Sequence, residues 1–136
     1  MQVPPEDDCF AIRQAARYVS QIYDRHLAKA GLTTTQYSIL GRLRRLGRLT
    51  TQQIATAMVM DRTSAVRAIQ PLQRDGLVDS RVEGRRAMTI GLTAAGSARL
   101  ELAGAHWIAA QDEFEQRFGA ARAEALRHEL LDMTRD

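Results

Sequence analysis

The stretch TTQQIATAMVMDRTSAVRAIQPLQRDGLVDSRVEGRRAMTIGL, Thr50 to Leu92, decides the fold. It holds two short helix patterns separated by a tight turn, then two strand patterns joined at a basic tip. Thr50 and Gln53 have capping-box spacing, a hydroxyl at the N-cap and an amide at N3. Ile54, Ala55 and Met58 supply the inner face of that helix. Val59 and Met60 form the turn, and Asp61 is a good N-cap for the next helix. That helix runs to about Arg74, with Gly76 just past its end as a left-handed cap. Leu77 to Val82 and Ala87 to Leu92 read as two strands around a Glu83-Gly84 turn.

Working outward, Asp7 to about Ala30 reads as a long helix. Phe10, Ala15, Val19, Ile22, Tyr23 and Leu27 form its apolar stripe at three- and four-residue spacing. Pro4 and Pro5 stand before it and Gly31 stops it. Thr34 or Thr35 caps a short helix, Gln36 to Leu46, ended by Gly47. After the hairpin, Thr93 caps a fifth helix to about Phe118, and a sixth runs from Ala120 to Met133. The chain is therefore mainly α, six helices with one small β-hairpin, and a single domain over 1–136. The first helix and the last two carry more apolar surface than one small lobe covers, so a second copy of the chain is expected to pair with them.

Hydrophobic content of 45% is ample for a globular core, and no apolar run approaches the roughly 18 residues of a membrane span. The N-terminus, MQVPPEDDCF, is acidic and lacks an apolar core segment, which argues against a secretory signal. A single cysteine builds no internal disulfide framework. A cytoplasmic location is expected. The net charge of +3 is unevenly placed. Residues 42–86 hold ten Arg and four acids (+6), residues 1–41 sum to zero, and residues 87–136 to −3. One basic block on an otherwise neutral-to-acidic chain points to a polyanionic partner for that block.

A helical wheel of roughly 100° per residue sorts Asp61 to Arg74 into two faces. Ala65, Ile69 and Leu72 share a narrow core arc. Thr63, Ser64, Arg67, Gln70 and Arg74 share the opposite one. Short hydroxyls at the N-terminal end permit close approach to bases or phosphates, and the helix N-terminus itself favours phosphate. Arg67 is placed to make a bidentate contact with a guanine edge, with Gln70 and Arg74 further along as backbone contacts. Pro71 lacks an amide hydrogen, so a bend is expected there. At the hairpin tip, Arg81, Arg85 and Arg86 suit the negative potential of a minor groove.

The segments GLTTTQYSILGRL, LTTQQIATAM, MDRTSAVRAIQPLQRDGLV and GRRAMTIGLTAAG, with the opening CFAIRQAARYVSQIYDRHL, resemble the MarR family of winged helix-turn-helix transcription regulators. The resemblance covers nearly the whole chain. It implies a winged-helix DNA-binding lobe over 33–92, and a helical dimerisation region over 1–32 and 93–136. It also implies an obligate homodimer on a pseudo-palindromic operator of double-stranded DNA. The usual role is repression, relieved by a small phenolic ligand or by oxidation. The family's recognition-helix positions fall on Arg62, Thr63, Ser64 and Arg67. Thr51 and Gln52, at the head of the preceding helix, complete the candidate DNA-binding set. The family's wing pattern, Asp-x-Arg, aligns with Gly84-Arg85-Arg86. Arg86 thus takes the place of the minor-groove Arg, while Gly84 replaces the Asp that would orient it. Glu83, one position early, is the available substitute.

Two sensing chemistries are open. Cys9 stands where the peroxide-sensing branch of the family has its reactive cysteine, and Tyr23 matches a tyrosine that hydrogen-bonds that cysteine across the dimer. Arg13 replaces the branch's second tyrosine. A ligand would instead enter the crevice between the DNA lobe and the dimer helices, where Arg17, Tyr18, Tyr37 and Trp107 combine apolar area with few polar handles. His26, His106 and His128, with Cys9, have no metal-ligand spacing, and no metal or cofactor is expected. There is no nucleophile elbow, glycine-rich phosphate loop or paired metal ligand, so an enzyme is not expected. A winged helix used only for protein association is the third class. Steep salt dependence of binding to duplex DNA separates it from a DNA binder.

Overall fold

The computed structural model describes residues 6–84 and 87–135. The prolines expected to precede the first helix, and Arg85 and Arg86 at the wing tip, lie outside the described residues. Helix α1 is Asp8–Leu27, capped by the Asp7 carboxylate, and it tightens into a 3-10 turn at Ala28–Ala30 that Gly31 ends with φ 72°. Helix α2 is Thr34–Leu46, strand β1 Leu49–Thr50, helix α3 Thr51–Ala57 and helix α4 Arg62–Arg74. Strands β2 (Val78–Glu83) and β3 (Ala87–Leu92) follow, then the long helix α5 (Ala94–Phe118) and α6 (Ala120–Thr134).

Two details differ from the sequence reading. The cap of α2 is Thr33, not Thr34 or Thr35. Its hydroxyl accepts from the Gln36 amide while Gln36 returns a bond to the Thr33 amide, a capping box one residue earlier than expected. Thr34 is thereby free to bind α1, where its amide and hydroxyl both donate to Asp24, at 2.7 and 2.6 Å. The β element is also larger than a hairpin. Leu49 and Thr50 pair with Ile90 and Thr89, giving a three-stranded antiparallel sheet in the order β1-β3-β2. A two-residue strand leaves no periodicity to read, so the sequence pattern could not show it.

One core runs through the lobe and into the long helices. Leu27, Ile39, Leu40, Ile54, Leu72 and Ile90 are fully buried, each contributing about 1.5–3 kcal/mol by removal from water. Ala65, Ile69 and Leu72 of α4 face this core as the wheel requires, and Leu100 and Ala103 of α5 join it from above. By contrast α6 buries only Ala123, and Phe10, Ile12, Leu130, Leu131 and Met133 stand exposed on α1 and α6.

The junction between lobe and helices is close. Thr93 caps α5 by accepting from the Gly96 amide at 3.0 Å, and its hydroxyl donates to the Gly76 carbonyl at 2.7 Å. A Cβ on Gly96 would overlap the Leu77 carbonyl, a backbone atom that cannot swing aside. Gly96→Ala is therefore expected to destabilise the fold by about 1–3 kcal/mol, read by urea or thermal unfolding. A Gly96→Ala protein as stable as the wild type would contradict this packing.

A second tie joins α1 to α5. Glu113 takes Arg25 at 3.0 Å, His26 at 2.8 Å and Arg117 at 2.9 Å. Arg117 also donates to the Tyr18 hydroxyl at 2.8 Å. The Arg25 hydrogen bond first, then that of His26, hold the Glu113 carboxyl down at about 2. A depressed carboxylate stabilises the fold above its ordinary value near 4.5 and loses that contribution as pH falls toward about 2. Glu113→Gln is accordingly expected to be less stable than wild type at neutral pH. The gap should close as acid unfolding curves approach about pH 2.

Candidate nucleic-acid interface

The elements of the expected interface are set by caps. Thr50 and Gln53 form the reciprocal box that starts α3, so its first turn holds Thr51, half-buried, and Gln52, exposed. Val59 takes φ 53°, a conformation few β-branched residues adopt, and so turns the chain tightly into α4. Asp61 accepts from the Ser64 amide at 2.7 Å and from the Ser64 hydroxyl at 3.0 Å. Those bonds hold the Asp61 carboxyl below its ordinary value, so the cap is ionised at neutral pH. Ser64 is thus not a free donor, since its hydroxyl hydrogen is engaged; its oxygen can still accept.

Arg62, Thr63, Arg67, Gln70 and Arg74 are all exposed. Helix α4 is unbroken through Pro71. The β2–β3 hairpin is held beside it by Gln73, which donates to Ser80 of β2 at 2.6 Å. Arg81 projects from exposed β2 and lies 3.9 Å from Asp79. Val82 and Met88 of the hairpin are open to solvent.

The basic block divides into two groups. Arg44 pairs with Glu101 at 2.9 Å and donates to Ser97, and Arg48 pairs with Asp79 at 2.7 Å. Arg74 meets its neighbour Asp75 at 3.2 Å. Arg42, Arg45, Arg62 and Arg67 have no ion-pair partner among the described residues. Among the described residues, the arginines offered outward without a carboxylate partner are thus fewer than the sequence count suggests, two on α2 and two on the N-terminal half of α4.

Sequence patterns do not single out Arg48. The signal available for it is Gly91, a glycine inside a strand pattern, which marks the close approach of another group.

The second feature is a cleft of about 650 Å³ where α1, α2, α5 and α6 meet. Tyr37 stacks on Trp107 (ring centroids 6.2 Å apart, interplanar angle 17°), and Tyr23 meets the same indole edge-on. Val19, Phe114, Leu126, Leu130 and Leu131 complete the apolar wall. Thr34, Ser38, Gln111, Glu115 and Arg127 are its polar handles. Of the four expected lining residues the cleft includes Tyr37 and Trp107. Arg17 is exposed and Tyr18 binds Arg117; neither lines the cleft. Burial raises the phenol pKa of both Tyr23 and Tyr37, so both are neutral donors. Tyr23, expected to meet Cys9 of a second copy across the dimer, lines this cleft, and Cys9 is exposed in the first turn of α1. The α6 contributors escape sequence reasoning because a nearly unburied helix shows little periodicity.

A capped helix behind a tight turn, flanked by a three-stranded sheet with a projecting hairpin, is a winged helix-turn-helix. The sequence profile of the MarR family matches residues 30–86. Comparison with curated protein sequences gives no match. Among solved structures, the M. tuberculosis transcriptional regulator MosR is 32% identical, with a TM-score of 0.83 over 95% of this chain and 93% of that one. MosR in complex with DNA gives 32% identity and a TM-score of 0.82 over 95% and 94%. The transcriptional repressor CouR, bound to p-coumaroyl-CoA, is 25% identical, with a TM-score of 0.82 over 96% and 94%. The chain belongs to the MarR family of transcriptional regulators.

Proposed function

We propose that this chain is a homodimeric, sequence-specific DNA-binding repressor that a small aromatic ligand releases from its operator. The observation that carries the reading is α4: its N-terminal end is capped and its outer face exposes Arg62, Thr63, Arg67 and Gln70. The DNA-bound structure of the similar MosR supports it. The DNA-binding lobe is residues 33–92, and the dimer forms through 1–32 and 93–136, whose exposed Phe10, Ile12, Leu130, Leu131 and Met133 supply apolar surface for a second copy. Thr51 and Gln52 take phosphates, Arg67 reads a base, Gln70 and Arg74 follow the backbone, and Arg81, Arg85 and Arg86 serve the wing. The two recognition helices reach successive major grooves about 10 bp apart. We read the chain as a non-enzyme working in the cytoplasm. Its relatives are transcriptional regulators, and no helix among the described residues is long and apolar enough to cross a membrane.

The aromatic cleft is the effector site of this reading. Its volume falls in the range of small-molecule pockets, and flat apolar walls with a few polar handles suit one aromatic ring bearing a polar substituent. CouR, similar over its length, is known with p-coumaroyl-CoA bound. Nothing about Cys9 favours a thiol switch over this site.

Selection from random duplex DNA, followed by affinity measurement across salt concentrations, tests the DNA reading. A palindromic consensus and a steep fall of affinity with salt are expected; no enrichment of any sequence would sink it. Arg67→Ala is expected to lose about 1–3 kcal/mol of discrimination at one symmetric position per half-site. An unchanged consensus would remove Arg67 from base reading. Trp107 is the chain's only tryptophan, so its fluorescence reports the cleft directly. A panel of phenolic acids should contain compounds that both quench it and release the operator, and Tyr37→Ala should weaken both effects together. Operator release without any Trp107 response would place the effector elsewhere.

A further inference from the structure

The distal hairpin has little to hold it. Its described outer residues, 81–84 and 87–88, are exposed, and two-stranded ribbons are marginal by themselves. One side chain reaches out along it from the lobe. Arg48, just before β1, donates from Nε to the Thr89 hydroxyl at 3.0 Å and from Nη2 to the Thr89 carbonyl at 3.0 Å. Its Nη1 donates to Asp79 at 2.7 Å, and Nε lies 3.5 Å from Glu83. The guanidinium is only 20% exposed and lies over Gly91, where a Cβ would overlap it. Register explains the path. Leu49 pairs with Ile90, so Arg48 stands opposite Gly91, and Gly91 pairs in turn with Asp79 on β2. Arg48 therefore crosses the central strand at its one residue without a side chain and fastens the edge strand behind it.

We propose that Arg48 is the positioning residue of the wing. Its guanidinium, laid across Gly91 and joining Thr89 to Asp79 and Glu83, fixes the direction in which the hairpin leaves the lobe. In this chain that base clamp does the orienting work for which the family's wing pattern supplies a carboxylate, replaced here by Gly84. Glu83 lies 3.5 Å from Arg48 and so is a member of the clamp. Three charge-assisted bonds from one planar fork are more directional than an ammonium could make, so Lys is not an equivalent. Because Arg48 adjoins the start of α3, the clamp also ties the wing to Thr51 and Gln52. The DNA consequence rests on the function proposed above; the clamp itself does not.

The test uses the full-length protein as wild type, Arg48→Ala, Arg48→Lys and Gly91→Ala. The last variant keeps the arginine but fills its path. Amide hydrogen exchange of the DNA-free protein should quicken by about tenfold over residues 79–89 in Arg48→Ala and Gly91→Ala, with α4 unaffected and Arg48→Lys intermediate. On the selected operator at saturating protein, both variants should lose sugar protection at the flanking minor grooves while keeping guanine N7 protection at the centre. Unchanged hairpin exchange in Arg48→Ala overturns the proposal whether or not the protein binds DNA. So does wild-type behaviour of Gly91→Ala. Should wild type bind no duplex while the exchange results hold, the DNA reading fails and the clamp stands.

Discussion

The recognition helix can only be useful if its angle to the rest of the molecule is fixed, and Thr93 fixes it. Its hydroxyl donates to the carbonyl of Gly76, just past the end of α4, and accepts from Gly96 in the first turn of α5. Its amide donates to the carbonyl of Leu77, the residue just before β2, at 3.2 Å. One threonine thus joins the end of the reading helix, the start of the wing and the start of the long helix. Gly96 permits this because nothing larger fits against the Leu77 carbonyl. Leu77 itself is buried in the shared core, so the staple sits on rigid packing and not on a loop.

Much of this was legible in the sequence, for identifiable reasons. The α4 wheel succeeded because a helix on a packed lobe has a strict apolar arc, and Ala65, Ile69 and Leu72 fill it. Caps were legible where a hydroxyl or carboxylate stood alone before a periodic run, as at Thr50, Asp61 and Thr93. They were ambiguous in Thr33-Thr34-Thr35, where three hydroxyls competed; tertiary structure resolved the choice by giving Thr34 to Asp24. The sheet's third strand and the Arg48 clamp were not legible, since each depends on a register between segments far apart in the chain. The same holds for the cleft: Tyr23 and the α6 leucines converge on Trp107 only after the chain has folded back twice.

Charge makes the same point more sharply. A tally of the basic block treats every arginine as available to a polyanion. In the folded chain Arg44 and Arg48 are internal fasteners, one to α5 and one to the wing. Asp79 is held below its ordinary carboxyl pKa chiefly by the Arg48 hydrogen bond, so that pair stays ionised through the physiological range. Among the described residues, those left without a carboxylate partner are Arg42 and Arg45 on α2 and Arg62 and Arg67 on the N-terminal half of α4. Exposed cations at that place add to the partial positive charge of the helix end, which is where a phosphate or a base edge gains most from them.

The fasteners also define how the cleft and the reading face communicate. Between the long helices and the lobe run a few specific polar ties: Asp24 to Thr34 at the head of α2, and Arg44 to Ser97 and Glu101 near its tail. Helix α2 is therefore pinned at both ends, and Tyr37, one turn in from Thr34, presses its ring on Trp107 of α5. Helix α2 also carries Ile39, Leu40 and Leu43 into the same core that seats α4. In the dimer proposed above, two lobes would have to meet two half-sites at fixed spacing, so a small rotation of either lobe would break the match. On the proposed reading, α2 is the packed element that links the aromatic cleft to the core beneath α4.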